Sequence, residues 1–261
     1  MLNLQNSIFT LFILAISHLS TQAQSPILEL TFDNTLLGTN GETPISSTGG
    51  ITFTDGIRGA AAIFDLDAQI IFESLGNIDS QVGTLDFVVV PNWNGNDSQT
   101  HEFLIWDSLP SDDGGGLVFS KDGANNLRHF YNRFSQGGQS EIGTSINVSD
   151  WIAFDPHYVA YSWNAIDRRL FQYVDGVRVR EFDFPDGFVL PTVTRPDFLI
   201  GNNLDAALDE LRIFDRELSE TEISNRFNEL FAVPEPSSTL ILGIVFAATL
   251  LQRRKPGPLK L

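Results

Sequence analysis

Apolar residues along this chain fall into two regimes. At each end they run without interruption. Between the ends they come in short bursts, several of which alternate with polar residues. Leu28, Leu30 and Phe32 alternate with Glu29, Thr31 and Asp33, the period of a strand with one buried face. Leu170, Gln172 and Val174 alternate with Phe171, Tyr173 and Asp175. There both faces are partly apolar, which fits an inner strand whose concave face is aromatic. Further β-rich segments stand at 60–64, 70–72, 84–90, 103–106, 117–119, 129–134, 158–163, 198–200 and 207–214. Asp-Gly pairs at 55–56, 113–114, 122–123, 175–176 and 186–187 punctuate them. Short strands at this spacing between polar turns predict a β-sandwich. One helix is predicted from Ser219 to about Leu230, ending before Pro234. Ser219 and Glu222 form a capping box, and Leu218 staples onto Ile223.

The two uninterrupted runs read as addresses. Residues 8–16 are IFTLFILAI, and Thr21 and Ala23 place small residues at the −3 and −1 positions of a cleavage site. Residues 1–23 are therefore expected to be a secretory signal peptide. No Lys or Arg precedes the run, so only the amino terminus supplies positive charge; a buried strand or a membrane anchor is the alternative. At the other end, Val233-Pro234-Glu235-Pro236-Ser237-Ser238 precedes an uncharged run over 239–251, and Arg253-Arg254-Lys255 follow. Thirteen helical residues span only ~20 Å, short of the ~30 Å hydrocarbon core. The basic cluster would stay cytoplasmic. A barely spanning helix of this kind suits a transient anchor. V-P-E-P, an apolar helix and a basic cluster resemble the PEP-CTERM sorting signal. That resemblance implies a Gram-negative bacterium that makes extracellular polysaccharide, and an exosortase-type membrane protease as partner. The chain is then expected to be held transiently in the inner membrane and passed to the cell envelope, outer surface or extracellular matrix. A plain C-terminal anchor is the alternative. The expected organisation is 1–23 signal peptide, 24–232 globular domain, and 233–261 sorting tail.

Several phrases of the middle region, in order, resemble the laminin-G-like, concanavalin A-like jelly roll. Leu28–Asn34 is similar to its opening L-x-F-D strand, and Gly56-Ile57-Arg58-Gly59-Ala60-Ala61 with Phe64 to its G-x-x-G-x-A-x-x-F step. Gly83–Pro91, and Val159–Trp163 followed by Tyr173–Gly176, match further strands. Phe198–Gly201 and Leu208–Ser219 resemble the closing I-G … D-E-x-R-I-Y-x-R-x-L-S. The resemblance implies an all-β sandwich of two antiparallel sheets, with a convex back and a concave front.

Composition narrows the chemistry. The formal net charge is −17 and cysteine is absent. Nucleic acid is a poor partner, since phosphate binding needs a cationic surface. The acidity serves solubility or affinity for calcium. By the resemblance, a structural Ca2+ would lie between the first strand and the last, with oxygens from Asp33 and Asp209; the alternative has both acids bonding backbone amides of turns. Glycosidases occur on this fold, and Glu181-Phe182-Asp183-Phe184-Pro185-Asp186 is the nearest approach to their E-x-D-x-x-E strand. The last acid belongs to a turn, so the geometry of a catalytic pair is not expected. Neither a Gly-x-Ser-x-Gly elbow nor paired histidines at metal spacing are present in the sequence. His157 is expected to pack rather than ligate. Sugar binding leads among the molecular readings, with Trp93, Trp106, Tyr131 and Tyr173 as candidate rings for stacking, or else as core. The chain is thus expected to be a non-catalytic carbohydrate- or protein-binding module, or a passive envelope component.

Overall fold

A computed structural model describes residues 25–107, 115–135, 138–186 and 195–232. The expected signal peptide, the Asp113-Gly114 turn and the sorting tail, including Val233, Pro234, Glu235, Pro236, Arg253 and Arg254, lie outside the described residues. In chain order the strands are β1 (Leu28–Leu30), β2 (Ser46–Thr48), β3 (Ile51–Asp55), β4 (Ala60–Phe64), β5 (Gln69–Glu73), β6 (Val82–Pro91), β7 (His101–Asp107) and β8 (Gly115–Lys121). They continue as β9 (Asn126–Ser135), β10 (Gly138–Asn147), β11 (His157–Asn164), β12 (Arg169–Val174), β13 (Val177–Asp183), β14 (Asp197–Ile200) and β15 (Ala206–Phe214). One helix follows, α1 (Glu220–Phe231).

The strands form two antiparallel sheets. The first runs β13-β12-β11-β6-β15-β4-β3, with β1 also on β15; the second runs β10-β9-β8-β7-β14-β5-β2. Their inner faces interdigitate around Leu85, Phe87, Phe103, Phe119, Tyr161 and Trp163 in one continuous core. Tight turns do what their residues demand. Asp175 and Gly176 take φ of 49° and 77°, a left-handed pair that suits a two-residue hairpin between β12 and β13.

β4 and β1 share one edge of β15. β4 pairs as far as Leu208, and β1 takes over from Leu211. Between them β15 slips its register against β6 from Asp209 to Arg212, and Glu210 sits at φ 52°. This is a β-bulge, which turns the Asp209 carboxylate towards the β3–β4 hairpin.

Strands β6, β11, β12 and β15 are apolar on both faces because α1 closes the outer face of the first sheet. Ser219 accepts from the Glu222 amide and Glu222 reaches back, so the predicted capping box is present. Leu218, Ile223 and Leu230 bury against Val88, Tyr158, Phe171, Tyr173 and Phe214. Full burial of each such side chain contributes about 1.5–3 kcal/mol. Two polar devices fix where the helix lands. Arg226 pairs through both Nε and Nη2 with Asp86, a fully buried carboxylate that also accepts from Tyr158 Oη at 3.0 Å. Thr84 Oγ1 donates to the Arg216 carbonyl and accepts from the Leu218 amide, each at 2.9 Å.

Candidate functional site

The four rings expected to make one sugar-binding face are separated and buried. Trp93 is 5% exposed and lies between His101 (4.4 Å, 9°) and Trp151 (6.2 Å, 12°), with Nε1 bonded to the Leu204 carbonyl. Trp151 in turn stacks on His157 at 4.0 Å, so His157 packs, as expected. Trp106 gives its Nε1–H to the Arg195 carbonyl and leaves an edge in a pocket of about 450 Å³ at the opposite end, beside Ser74, Asp79 and Ser80. Tyr131 points into the core and donates to the Ser80 carbonyl at 2.9 Å. Tyr173 does face outward from β12, but α1 covers it. The aromatic outer face of β12 is therefore an internal docking surface rather than an open concave one. Its apolar residues have a partner already, in the chain's own helix.

The outer face of the second sheet is different: among the described residues no helix packs on it, and Ile71, Ile105 and Leu199 are half-buried while Val118 and Phe130 are buried. An apolar row crosses it in register. Ile71 pairs with Leu199, Leu199 with Ile105, Ile105 with Val118, Val118 with Phe130, and Phe130 with Gly143. Polar rows flank it, with Glu73, Asp197 and Glu141 on one side and Gln69, Ser120, Arg128 and Ser145 on the other. At the Gly143 end the row opens into a notch of about 220 Å³ lined by Arg128, Phe130, Glu141, Gly143, Thr144 and Ser145. Glycine is required there: an added Cβ would fall 2.1 Å from the His129 carbonyl oxygen. The Arg128 guanidinium lies 4.2 Å from the Phe130 ring centre, donates to Glu141 at 2.6 Å, and sits 3.6 Å from Asp122. An aromatic ring, a fixed cation, a carboxylate and a hydroxyl thus converge at an open notch. Sequence reasoning missed this group by one position. In the run His129-Phe130-Tyr131 it chose Tyr131, whereas the ladder turns Phe130 outward.

The two predicted calcium acids do approach one element. Asp33 Oδ1 accepts from the Ala60 amide at 2.8 Å, and Asp209 Oδ2 accepts from Ile57 and Arg58 amides at 2.7 and 3.2 Å. Both therefore hold the β3–β4 hairpin. Asp209 is 1% exposed, its Oδ1 has no partner, and burial pushes its pKa up to about 6. Asp33, Asn34, Thr54 and Asp55 line an adjoining pocket of about 410 Å³. Among the described residues no three His, Asp or Glu side chains gather as a metal-ligand set. A cation here would need backbone carbonyls besides the two carboxylates.

With the two sheets and their surfaces placed, comparison identifies the lineage. The concanavalin A-like lectin/glucanases superfamily matches residues 67–224. The chain belongs to that superfamily. Its match starts at residue 67, whereas β1, β3 and β4 lie upstream and complete the first sheet. The PEP-CTERM protein-sorting motif matches residues 232–255, directly after α1, and marks the chain for export to the bacterial cell envelope. Solved structures share the fold. The binding domain of botulinum neurotoxin serotype D aligns at 15% identity and TM-score 0.58, over 78% of this chain and 52% of that one. The binding domain of botulinum neurotoxin DC, in complex with SialylT, aligns at 15% identity and TM-score 0.58, over 80% and 52%. This chain thus spans about half the length of those toxin domains. Domain 4 of AbnA, a GH43 extracellular arabinanase from Geobacillus stearothermophilus in complex with arabinotriose, aligns at 17% identity and TM-score 0.58, over 77% and 97%. No curated protein sequence matches the chain.

Superfamily members include glucanases, so the carboxylates need placing. Glu181 and Asp183 lie on the edge strand β13, where both are exposed, and Asp186 pairs with Arg168 at 2.8 Å. Glu181 engages Arg178 at 3.5 Å. This strand borders the first sheet, whose outer face α1 covers.

Proposed function

We propose that this protein is a non-catalytic binding module displayed at the cell envelope, and that its ligand is an extracellular polysaccharide or a glycan-bearing surface protein. The reading is carried by the notch beside Phe130, where Gly143 leaves room next to a largely buried ring and Arg128, Glu141 and Ser145 line the opening. A sugar offers an apolar C–H face to such a ring and hydroxyls to the polar groups around it. Support also comes from the superfamily and, among its structural neighbours, from a toxin binding domain and an arabinanase domain in complex with arabinotriose. A glycan array probed with the exported protein tests the proposal. Binding to a glycan class is expected, and Phe130→Ala should weaken it at least about tenfold, or ~1.4 kcal/mol. A passive envelope component would bind no glycan with or without calcium.

We further propose a structural Ca2+ at the β3–β4 hairpin, held by Asp33 and Asp209. The partnerless Asp209 Oδ1 supports it. Delivery would proceed by removal of 1–23, transient anchoring of 239–251 in the inner membrane of a Gram-negative cell, and cutting near Val233–Ser238 by an exosortase-type protease.

A further inference from the structure

A second polar group lies between the sheets; one of its members, Thr144, also lines the notch. In the β9–β10 ladder His129 stands opposite Thr144; in the β11–β12 ladder Tyr161 stands opposite Gln172. The two pairs face one another across the core. The His129 and Tyr161 rings meet edge-on at 5.4 Å, and Gln172 Nε2 crosses to donate to the Leu127 carbonyl on β9 at 2.9 Å. His129, Tyr161 and Gln172 are fully buried, and Thr144 nearly so. Phe119 and Trp163 pack with ring centroids 4.7 and 6.0 Å from that of His129.

Five polar atoms in this one place have no protein partner: His129 Nδ1 and Nε2, Thr144 Oγ1, Tyr161 Oη and Gln172 Oε1. Gln172 is near enough to influence the Tyr161 hydroxyl, but the two make no well-formed hydrogen bond. Left dry, five such groups would carry a penalty rivalling the whole stability of a domain. The chemistry of the set says what satisfies it. A neutral imidazole presents one donor and one acceptor, two hydroxyls present one of each, and the amide oxygen accepts. Burial lowers the His129 pKa to about 3, so the ring stays uncharged across the physiological range. A cation would want acceptors alone and an anion donors alone. A neutral mixed set wants a small molecule that both donates and accepts. We propose that His129, Thr144, Tyr161 and Gln172 form an internal hydration site, holding about one or two ordered waters that tie the second sheet to the first.

Two measurements on the full chain in detergent decide it. A crystal structure fine enough to resolve discrete solvent is expected to show density ~2.6–3.2 Å from a His129 ring nitrogen and from Tyr161 Oη. Direct bonds among these side chains, with no density between them, would overturn the proposal. Water magnetic relaxation dispersion should detect a long-lived internal water that disappears in the His129→Phe/Tyr161→Phe double variant; an unchanged signal in a folded variant also overturns it. If the double variant does not fold, the wild-type density alone decides.

Discussion

Asp209 is nearly sealed from water, accepts two amides through one oxygen, and leaves the other unpaired. Its pKa, raised from 3.8 to about 6, has a definite thermodynamic sign. Stability from this group is fully present below pH ~4 and is lost as pH rises through ~6, a change of roughly 3 kcal/mol. In metal-free buffer, Asp209→Asn should therefore flatten the part of the urea-stability profile between pH 4 and 7 that the wild type shows. Calcium reverses the sign, because a ligating carboxylate must be ionised. Added Ca2+ should raise the melting temperature by several degrees at pH 7.5 and by much less at pH 5. An equal melt in calcium and in chelator at both pH values would refute the metal. Single residues are also where sequence reading is weakest: Phe130 and Tyr131 are neighbours of similar chemistry, and strand parity puts one on the outer face of the second sheet and the other in the core.

At the level of elements, α1 is the clearest case of agreement between local signal and fold. Its cap, staple and extent follow from contacts within a few residues, so Ser219, Glu222 and Leu218 were legible. Ser219→Ala should cost about 1 kcal/mol in denaturant melts. Its docking depends on partners far along the chain. Arg226→Ala strands the buried Asp86 carboxylate and should cost ~3–5 kcal/mol, while the Arg226→Met/Asp86→Leu double variant should recover much of that loss. Strands buried on both faces, such as β6 and β11, were plain in the sequence. The exposed edge strands β2 and β3 and the polar edge strand β10 were not among the segments named. Their apolar alternation is short, limited to Ile51 and Phe53 in β3 and to Ile142 and Ile146 in β10, and β2 has none.

For the whole molecule, the ends decide where the sandwich works. Mass spectrometry of the protein from its native cells should find a chain beginning near Gln24 and ending near Val233–Ser238, with α1 retained. A variant with Pro234 and Pro236 both changed to Ala should keep the tail and remain in the inner-membrane fraction. The sequence by itself determined the all-β class, the capped helix, the net acidity and the C-terminal sorting motif, because each is written in local periodicity, short motifs or composition. It also brought Asp33 and Asp209 together through ordered resemblance to the superfamily. Tertiary structure alone decided which sheet face the helix covers. The aromatic stripe of β12 looked like a binding surface until α1, some fifty residues later in the chain, folded back over it. Burial is a property of what packs on a face, and that partner is supplied by distant sequence that no local pattern encodes.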